Sequence, residues 1–346
     1  VAAFSILFSR FVWLQLVEYD RYHALAESNR ISLTPDPPAR GIIYDRNGMV
    51  LAHNFAAYTL EITPNKAGRL NDTIDRLSGV VQLDAGDRKR FKKLLTESKN
   101  FETLPIKMRL SEEEVARFAV NSFRFPGVEV KARLFRQYPM GDAFSHVIGY
   151  IGRINQKDDE RIKAGPQAAN YRGTDHIGKQ GVEESYEHLL HGLTGVAQVE
   201  TDSGGRAVRV LSQTPPVAGS NVYLHLDAKL QDIATKVFGP YRGALVALDP
   251  RNGGVLALVS KPGFDPNLFV DGIDSANWKA LNESLDKPLI NRALRGIYPP
   301  GSTFKPFMAL AGLEMGYRKP GDVISDPGYY SLPGSSHRYR DWKKEG

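Results

Sequence analysis

Two proline clusters divide this chain before any other pattern is read. Thr34-Pro35-Asp36-Pro37-Pro38 holds three prolines in four positions. Proline lacks the amide a helix needs and clashes with the preceding turn, so no helix passes through the cluster. Pro215-Pro216, within Gln213 to Ser220, marks the second break. A chain of 346 residues is long for one domain. The breaks therefore predict three parts: an anchor and juxtamembrane helix over 1–30, a middle unit over 31–214 and a final unit over 215–346.

The opening stretch reads VAAFSILFSRFVWLQLV, apolar except for Ser5, Ser9, Arg10 and Gln15. A complete membrane span needs about 20 apolar residues. Trp13 and Tyr19 stand where an interfacial aromatic belt would, so the segment is expected to be the trailing end of a membrane helix. Arg10 must then snorkel or face a partner helix. An amphipathic helix on a soluble domain is the alternative. Glu18 to Arg30 is charged and is expected to continue the helix out of the membrane.

Beyond the first prolines, Ile42-Ile43-Tyr44 and Met49-Val50-Leu51 flank Asp45-Arg46-Asn47-Gly48, a strong hairpin signal. The pattern turns helical from Leu70 to Asn121. There Ser111 and Glu114 form a capping box ahead of an apolar stripe of Val115, Phe118 and Ala119. Phe123 to Tyr138 reads as strand. After the second break, Asn221 to Leu226 reads as strand and Ala228 to Phe238 as helix. Gly243 to Asp249 and Gly254 to Ser260 are apolar on both faces, as in strands covered on both sides. The fold class is therefore α+β and multidomain.

Cysteine is absent, which excludes a disulfide framework, a cysteine zinc site and a thiol nucleophile. The 45 basic and 39 acidic residues leave a net charge of only +6. With no long basic run and no RNA-binding aromatic signature, a nucleic-acid partner is not expected.

Pro299-Pro300-Gly301-Ser302-Thr303-Phe304-Lys305-Pro306 carries the clearest chemistry. Ser302 and Lys305 are spaced i, i+3 and share a face on a helix. A serine hydroxyl becomes a nucleophile when a neighbouring base takes its proton, and a lysine held as the neutral amine serves as that base. Pro300 and Gly301 allow an abrupt turn that puts Ser302 near a helix N-terminus, where amide groups favour an oxyanion. The spacing alone is weak evidence. Ser284 and Lys287 repeat it without a helix-start signal, and Pro288 restricts Lys287. From the residues alone, an incidental helix start stays open.

The segment YPPGSTFKP resembles the active-serine motif of the penicillin-binding transpeptidases, and further segments resemble the class B, high-molecular-weight kind. Arg40 to Gly48 (RGIIYDRNG) is similar to that family's first non-catalytic motif. Arg136 to Gly141 (RQYPMG), with His146, Gly149 and Tyr150, is similar to the second. Gly178 to Glu183 (GKQGVE), with Leu190, Gly192 and Gly195, is similar to the third. Leu226-Asp227, Leu230-Gln231 and the run from Gly243 to Asn267 resemble the opening of the catalytic domain. Asn291 to Tyr298 and Asp326 to Tyr330 are most similar to the elongation branch, penicillin-binding protein 2.

The resemblance implies an N-terminal membrane helix, an elongated α+β pedestal and the front part of an α/β transpeptidase domain of the serine β-lactamase-like fold. It implies an inner-membrane, single-pass protein with its catalytic domain in the periplasm, cross-linking peptidoglycan stem peptides and acylated by β-lactams. Ser302 would be the nucleophile and Lys305 the general base. The family's two further catalytic motifs, a serine-x-asparagine (or aspartate) and a lysine-threonine-glycine on a strand, cannot be placed in this sequence. Implied partners are a SEDS-class membrane glycan polymerase and a periplasmic rod-shape scaffold protein. Alternatives are a septal transpeptidase, a serine β-lactamase and a non-enzymatic activator of the polymerase. Arg40, Gly41, Asp45, Arg46, Gly48, Arg136, His146 and Glu183 are expected to be structural, with His146 bonding backbone. His176, His188 and His191 are expected at the surface. No cofactor is required. Some relatives carry a metal after the active-serine helix, so Asp326 and Asp341, near His337, are candidate ligands for a structural zinc whose other ligands would lie beyond Gly346.

Overall fold

The apolar N-terminus forms a helix over Ala2–Val12 that passes into a π-helical turn over Trp13–Val17, and neither buries a residue. Among the described residues no helix is long and apolar enough to cross a membrane. The segment expected to be the trailing end of a membrane helix is helical and exposed. The structure, a computed structural model, describes residues 2–19, 31–97, 103–201 and 207–343. The expected continuation of the helix over 20–30 lies outside the described residues. The prolines that follow sit at the end of a strand rather than a helix. β1 (Ile31–Asp36) includes Pro35, which is tolerated because β1 is an edge strand. It pairs antiparallel with β8 (Gly195–Thr201), which pairs in turn with β9 (Ala207–Thr214).

The hairpin at Asp45–Gly48 joins β2 (Ile43–Tyr44) to β3 (Val50–Ile62). Gly48 has φ +84°, which suits a residue without Cβ. β3 pairs along its length with β5 (Val128–Gln137) and at its far end with β4 (Leu104–Leu110). β10 (Val222–Tyr223) returns to lie parallel to β2. That return needs close backbone approach: a Cβ on Gly41 would fall 2.0 Å from the Ser220 carbonyl oxygen.

The helical expectation for Leu70 to Asn121 holds only in part. Helices Leu70–Leu77, Ala85–Glu97 and Glu112–Asn121 are interrupted by β4. Leu104, Ile106 and Leu110 of β4 join Leu60, Ile62, Leu77 and Phe91 in one buried core. The capping box is present: Ser111 Oγ accepts from Glu114 N at 3.2 Å, and Glu114 Oε2 from Ser111 N at 3.1 Å. Lys107 Nζ lies 2.6 Å from Glu114 Oε1 and ties the cap to β4.

A second core gathers Ile43, Leu51, Tyr138, Phe144, Ile148, Leu190, Leu226, Ala228 and Val270. Beside it, β6 (Ile151–Arg153) pairs with β7 (His176–Gly178), and β11 (Gly243–Leu248) pairs with β12 (Val255–Lys261). Helix Ala228–Phe238 packs on β12, where the Gln231 amide donates to the Leu258 carbonyl (2.7 Å) and accepts from its N–H (2.8 Å). β12 is covered, but β11 departs from the expectation of two covered faces. Leu245, Val246 and Leu248 are 38, 46 and 56% exposed, because among the described residues the pair has no third strand.

The chain divides into two compact units, Val1–Gly296 and Ile297–Gly346. The second holds a 3-10 turn over Gly301–Phe304, helix Lys305–Glu314 and a hairpin of β13 (Tyr329–Tyr330) and β14 (Tyr339–Arg340).

Candidate active site

In the second unit the chain turns at Gly301, φ +55°, into the 3-10 turn that carries Ser302. Lys305 opens the α-helix that follows, with Pro306 in its first turn, where no intrahelical amide bond is lost. Thr303 closes the turn, its N–H and its hydroxyl both donating to the Pro300 carbonyl. Ser302 and Lys305 thus sit at a helix entrance, and both are exposed. A carbonyl presented there would meet a hydroxyl, an amine and free backbone N–H groups, the set an acyl transfer uses. The similar pair, Ser284 and Lys287, is built differently. Lys287 has φ +45° and its N–H closes a turn onto the Ser284 carbonyl, so no helix starts there.

Asp326 and Asp341 lie at the base of the β13–β14 hairpin. Asp326 Oδ1 accepts from Gly328 N (2.8 Å), Asp341 N donates to the Gly328 carbonyl (3.0 Å), and Asp341 Oδ1 accepts from Trp342 N (2.6 Å). His337 packs edge-on against Tyr339. These contacts close a hairpin, and no group of three His, Cys, Asp or Glu residues able to hold a metal occurs among the described residues. A structural zinc takes four ligands, so the two aspartates do not fit that role by themselves.

The three non-catalytic motifs meet in the first unit. Glu183 is fully buried between two guanidiniums: Arg40 Nε at 2.7 Å on Oε2 and Arg136 Nε at 2.7 Å on Oε1. Tyr138 Oη donates to Oε1 at 3.2 Å. Arg40 Nη2 also reaches Glu187 (2.7 Å), and Arg136 Nη1 donates to the Gly41 carbonyl (2.8 Å). Burial pushes the Glu183 carboxyl up, but the Arg40 and Arg136 charges outweigh it and hold it below the usual carboxylate range. Burial pulls the Arg40 guanidinium down, and Glu183 with Glu187 more than restores it. Asp45 accepts from the N–H groups of Asn47, Met49 and Ala228 at 2.7, 2.8 and 3.0 Å. Those amides offset its burial and keep it ionised. Arg46 is exposed, and its N–H donates to the Leu226 carbonyl. Arg40, Asp45, Arg136 and Glu183 are thus engaged in holding elements together.

Three histidine expectations are corrected. His146 is buried edge-on against Phe264, and neither ring nitrogen makes a hydrogen bond. Burial lowers its pKa, and the Pro262 and Pro288 backbone oppose that only in part. His191 is buried rather than at the surface. It stacks on Tyr171 at 4.3 Å and bonds Thr174, and His176, also expected at the surface, is half-buried with Nε2 donating to the Val270 carbonyl at 2.9 Å. His188 is exposed as expected. Sequence reading missed Asn54, whose amide donates to the Arg40 carbonyl, and Glu187. Neither carries a local signal, since its role is set by residues up to 147 positions away.

A model of the penicillin-binding protein dimerisation domain matches residues 35–224, and one of the penicillin-binding protein transpeptidase domain matches residues 243–346. The peptidoglycan D,D-transpeptidase MrdA of Escherichia coli strain K12 is 48% identical over 342 residues, covering 99% of this chain and 54% of that protein. The protein of the same name from Acinetobacter baumannii is 45% identical over 341 residues, covering 99% and 50%. Among solved structures, Pseudomonas aeruginosa PBP2 in complex with WCK 5153 aligns with TM-score 0.60 and 35% identity, over 91% of this chain and 49% of that one. The complex between PBP2 and MreC from Helicobacter pylori aligns with TM-score 0.72 and 25% identity, over 91% and 58%. The chain spans about half the length of the curated relatives it matches.

Proposed function

Because this chain belongs to the class B penicillin-binding proteins, and within them to the penicillin-binding protein 2 type, we propose that the whole protein is a peptidoglycan D,D-transpeptidase of cell elongation. The observation that carries the reading is the Ser302–Lys305 pair at a helix entrance, inside the stretch matched to the transpeptidase domain. In this reading that domain has the serine β-lactamase-like fold. Ser302 Oγ attacks the penultimate D-alanine carbonyl of a stem peptide and Lys305 takes its proton. The amide C–N bond breaks, and terminal D-alanine leaves with that proton. An amine of a neighbouring stem then attacks the ester, and its proton returns to the serine oxygen. The Ser302 N–H supplies one oxyanion donor. A β-lactam acylates the same oxygen, but its leaving nitrogen stays tethered and deacylation is slow. The reaction as written calls on no cofactor.

The apolar, exposed residues Phe4, Ile6, Leu7 and Phe8 support an inner-membrane anchor, with the remainder in the periplasm. The MreC complex of the Helicobacter pylori neighbour supports a rod-shape scaffold protein as partner. A SEDS-class glycan polymerase is the proposed source of new strands. Full-length protein supplied with uncross-linked, pentapeptide-bearing glycan should form cross-linked dimers. Ser302→Ala should reduce that rate by about three orders of magnitude or more. Cross-linking that survives the substitution would sink the assignment.

A further inference from the structure

Among the described residues, Arg109 and Lys287 alone outside glycine have positive φ, and Arg109, at +57°, does so inside a strand. β4 carries one residue more than β3 at that point. Tyr58 pairs with Leu110 and Leu60 with Lys107, so Met108 and Arg109 together face Thr59. Such a bulge re-aims a side chain, and glycine is the residue that takes its left-handed position without strain. An arginine there is held by what it reaches. Its guanidinium carbon lies 5.5 Å from the centre of the Phe55 ring and 5.2 Å from that of Phe135, within cation–π range. Its Nη2 ends 2.7 Å from Asp271 Oδ2.

This pair joins two separate cores. β4 contributes Leu104, Ile106 and Leu110 to the first. Asp271 follows helix Asn267–Val270, whose Val270 lies in the second. β3 and β5 run between the cores as an antiparallel ribbon, with Leu51 and Ala52 at one end and Leu60 and Ile62 at the other. Phe55 and Phe135 are register partners midway along it. Among the described residues, no other ion pair joins β4 or the helices of the first core to the stretch matched to the transpeptidase domain. The pair is also balanced. Its side chains are 42 and 21% exposed, against 1 and 0% for Arg136 and Glu183, and an ion pair in reach of water and salt stabilises weakly. Opposing it are the strain at Arg109 and the buried Asp271 Oδ1, which accepts no hydrogen bond while the pair is closed. We infer that Arg109 and Asp271 form a releasable latch: closed, it fastens the lobe built on the first core to the transpeptidase-matched stretch, and open, it lets the β3–β5 ribbon bend. The latch does not depend on the role given to Ser302.

The test places spin labels on the full-length protein at Val120 and Val237, both exposed, through an introduced ketone side chain, and reads the distances between them. Val120 lies on helix Glu112–Asn121 and Val237 on helix Ala228–Phe238, one on each side of the latch. At low ionic strength the wild type should give one dominant distance. Asp271→Asn and Arg109→Gly should each raise a second, displaced population about two- to five-fold. Salt at about 0.5 M should do the same to the wild type and add nothing in either variant. Arg109→Gly also relieves the strain at φ +57°, so it should fold at least as well as the wild type. Distances unchanged in both variants would overturn the latch. So would a lower urea midpoint with no second population, the mark of an ordinary structural pair.

Discussion

Glu183 shows how one buried motif residue can tie distant segments together. It is the shared counter-charge of Arg40 and Arg136 and accepts from Tyr138. Removing its charge leaves the buried Arg136 guanidinium without a counter-charge and Arg40 with Glu187 alone. Glu183→Gln is expected to destabilise the protein by about 3–5 kcal/mol, measured as a lower urea midpoint at unchanged slope. A midpoint within error of wild type would contradict the role given to it. The motifs that contain these three residues were legible in the sequence. Their convergence was not, because the partners lie 143 and 47 positions apart and nothing local records which carboxylate meets which guanidinium. The same holds for His191, whose setting is supplied by Tyr171 and Thr174 rather than by its own neighbours in sequence.

At the level of elements, legibility follows the strength of the local signal. The Asp45–Gly48 hairpin, the Ser111 cap and helix Ala228–Phe238 each carry their own instructions in turn and cap residues. β4 did not, since Leu-Pro-Ile-Lys-Met-Arg-Leu is a brief alternation between two helices whose periodicity masks it. β1 was hidden by its own proline, which only an edge position accommodates. The cap gives a local prediction. Ser111→Ala removes the bond to Glu114 N and should cost about 1 kcal/mol. Hydrogen exchange should quicken within Glu112–Asn121 and on the adjoining β4, while penicillin acylation of Ser302 stays at the wild-type rate. Uniformly faster exchange across the whole first unit would show that the cap is not a local device.

Between pH 8 and pH 4, the shifted histidines and carboxylates of the first unit pull stability in one direction. Burial holds His146, His176 and His191 below the ordinary value of 6.5. Unfolding restores that value, so the unfolded chain binds protons first and stability falls as the pH drops below about 6.5. Burial would raise Asp45, Glu114, Asp158 and Glu183, but ion pairs and amide hydrogen bonds outweigh it and leave all four lowered. Their contribution is complete above the ordinary carboxylate values of 3.8 and 4.5 and is lost as the pH falls below them. Urea midpoints taken from pH 8 to pH 4 should therefore decline steadily toward acid, and a maximum below pH 6 would contradict the assignment. The larger claim concerns chemistry. Ser302 and Lys305 stood out from the decoy pair through the flanking prolines and glycine, and the turn at Gly301 gives those residues their purpose. The most direct test is intact-mass measurement of the full-length protein after incubation with a penicillin, followed by peptide mapping. A lasting adduct of the drug's mass on the peptide containing Ser302 is the predicted result. Drug turnover without a lasting adduct, or an adduct on any other residue, would contradict the account.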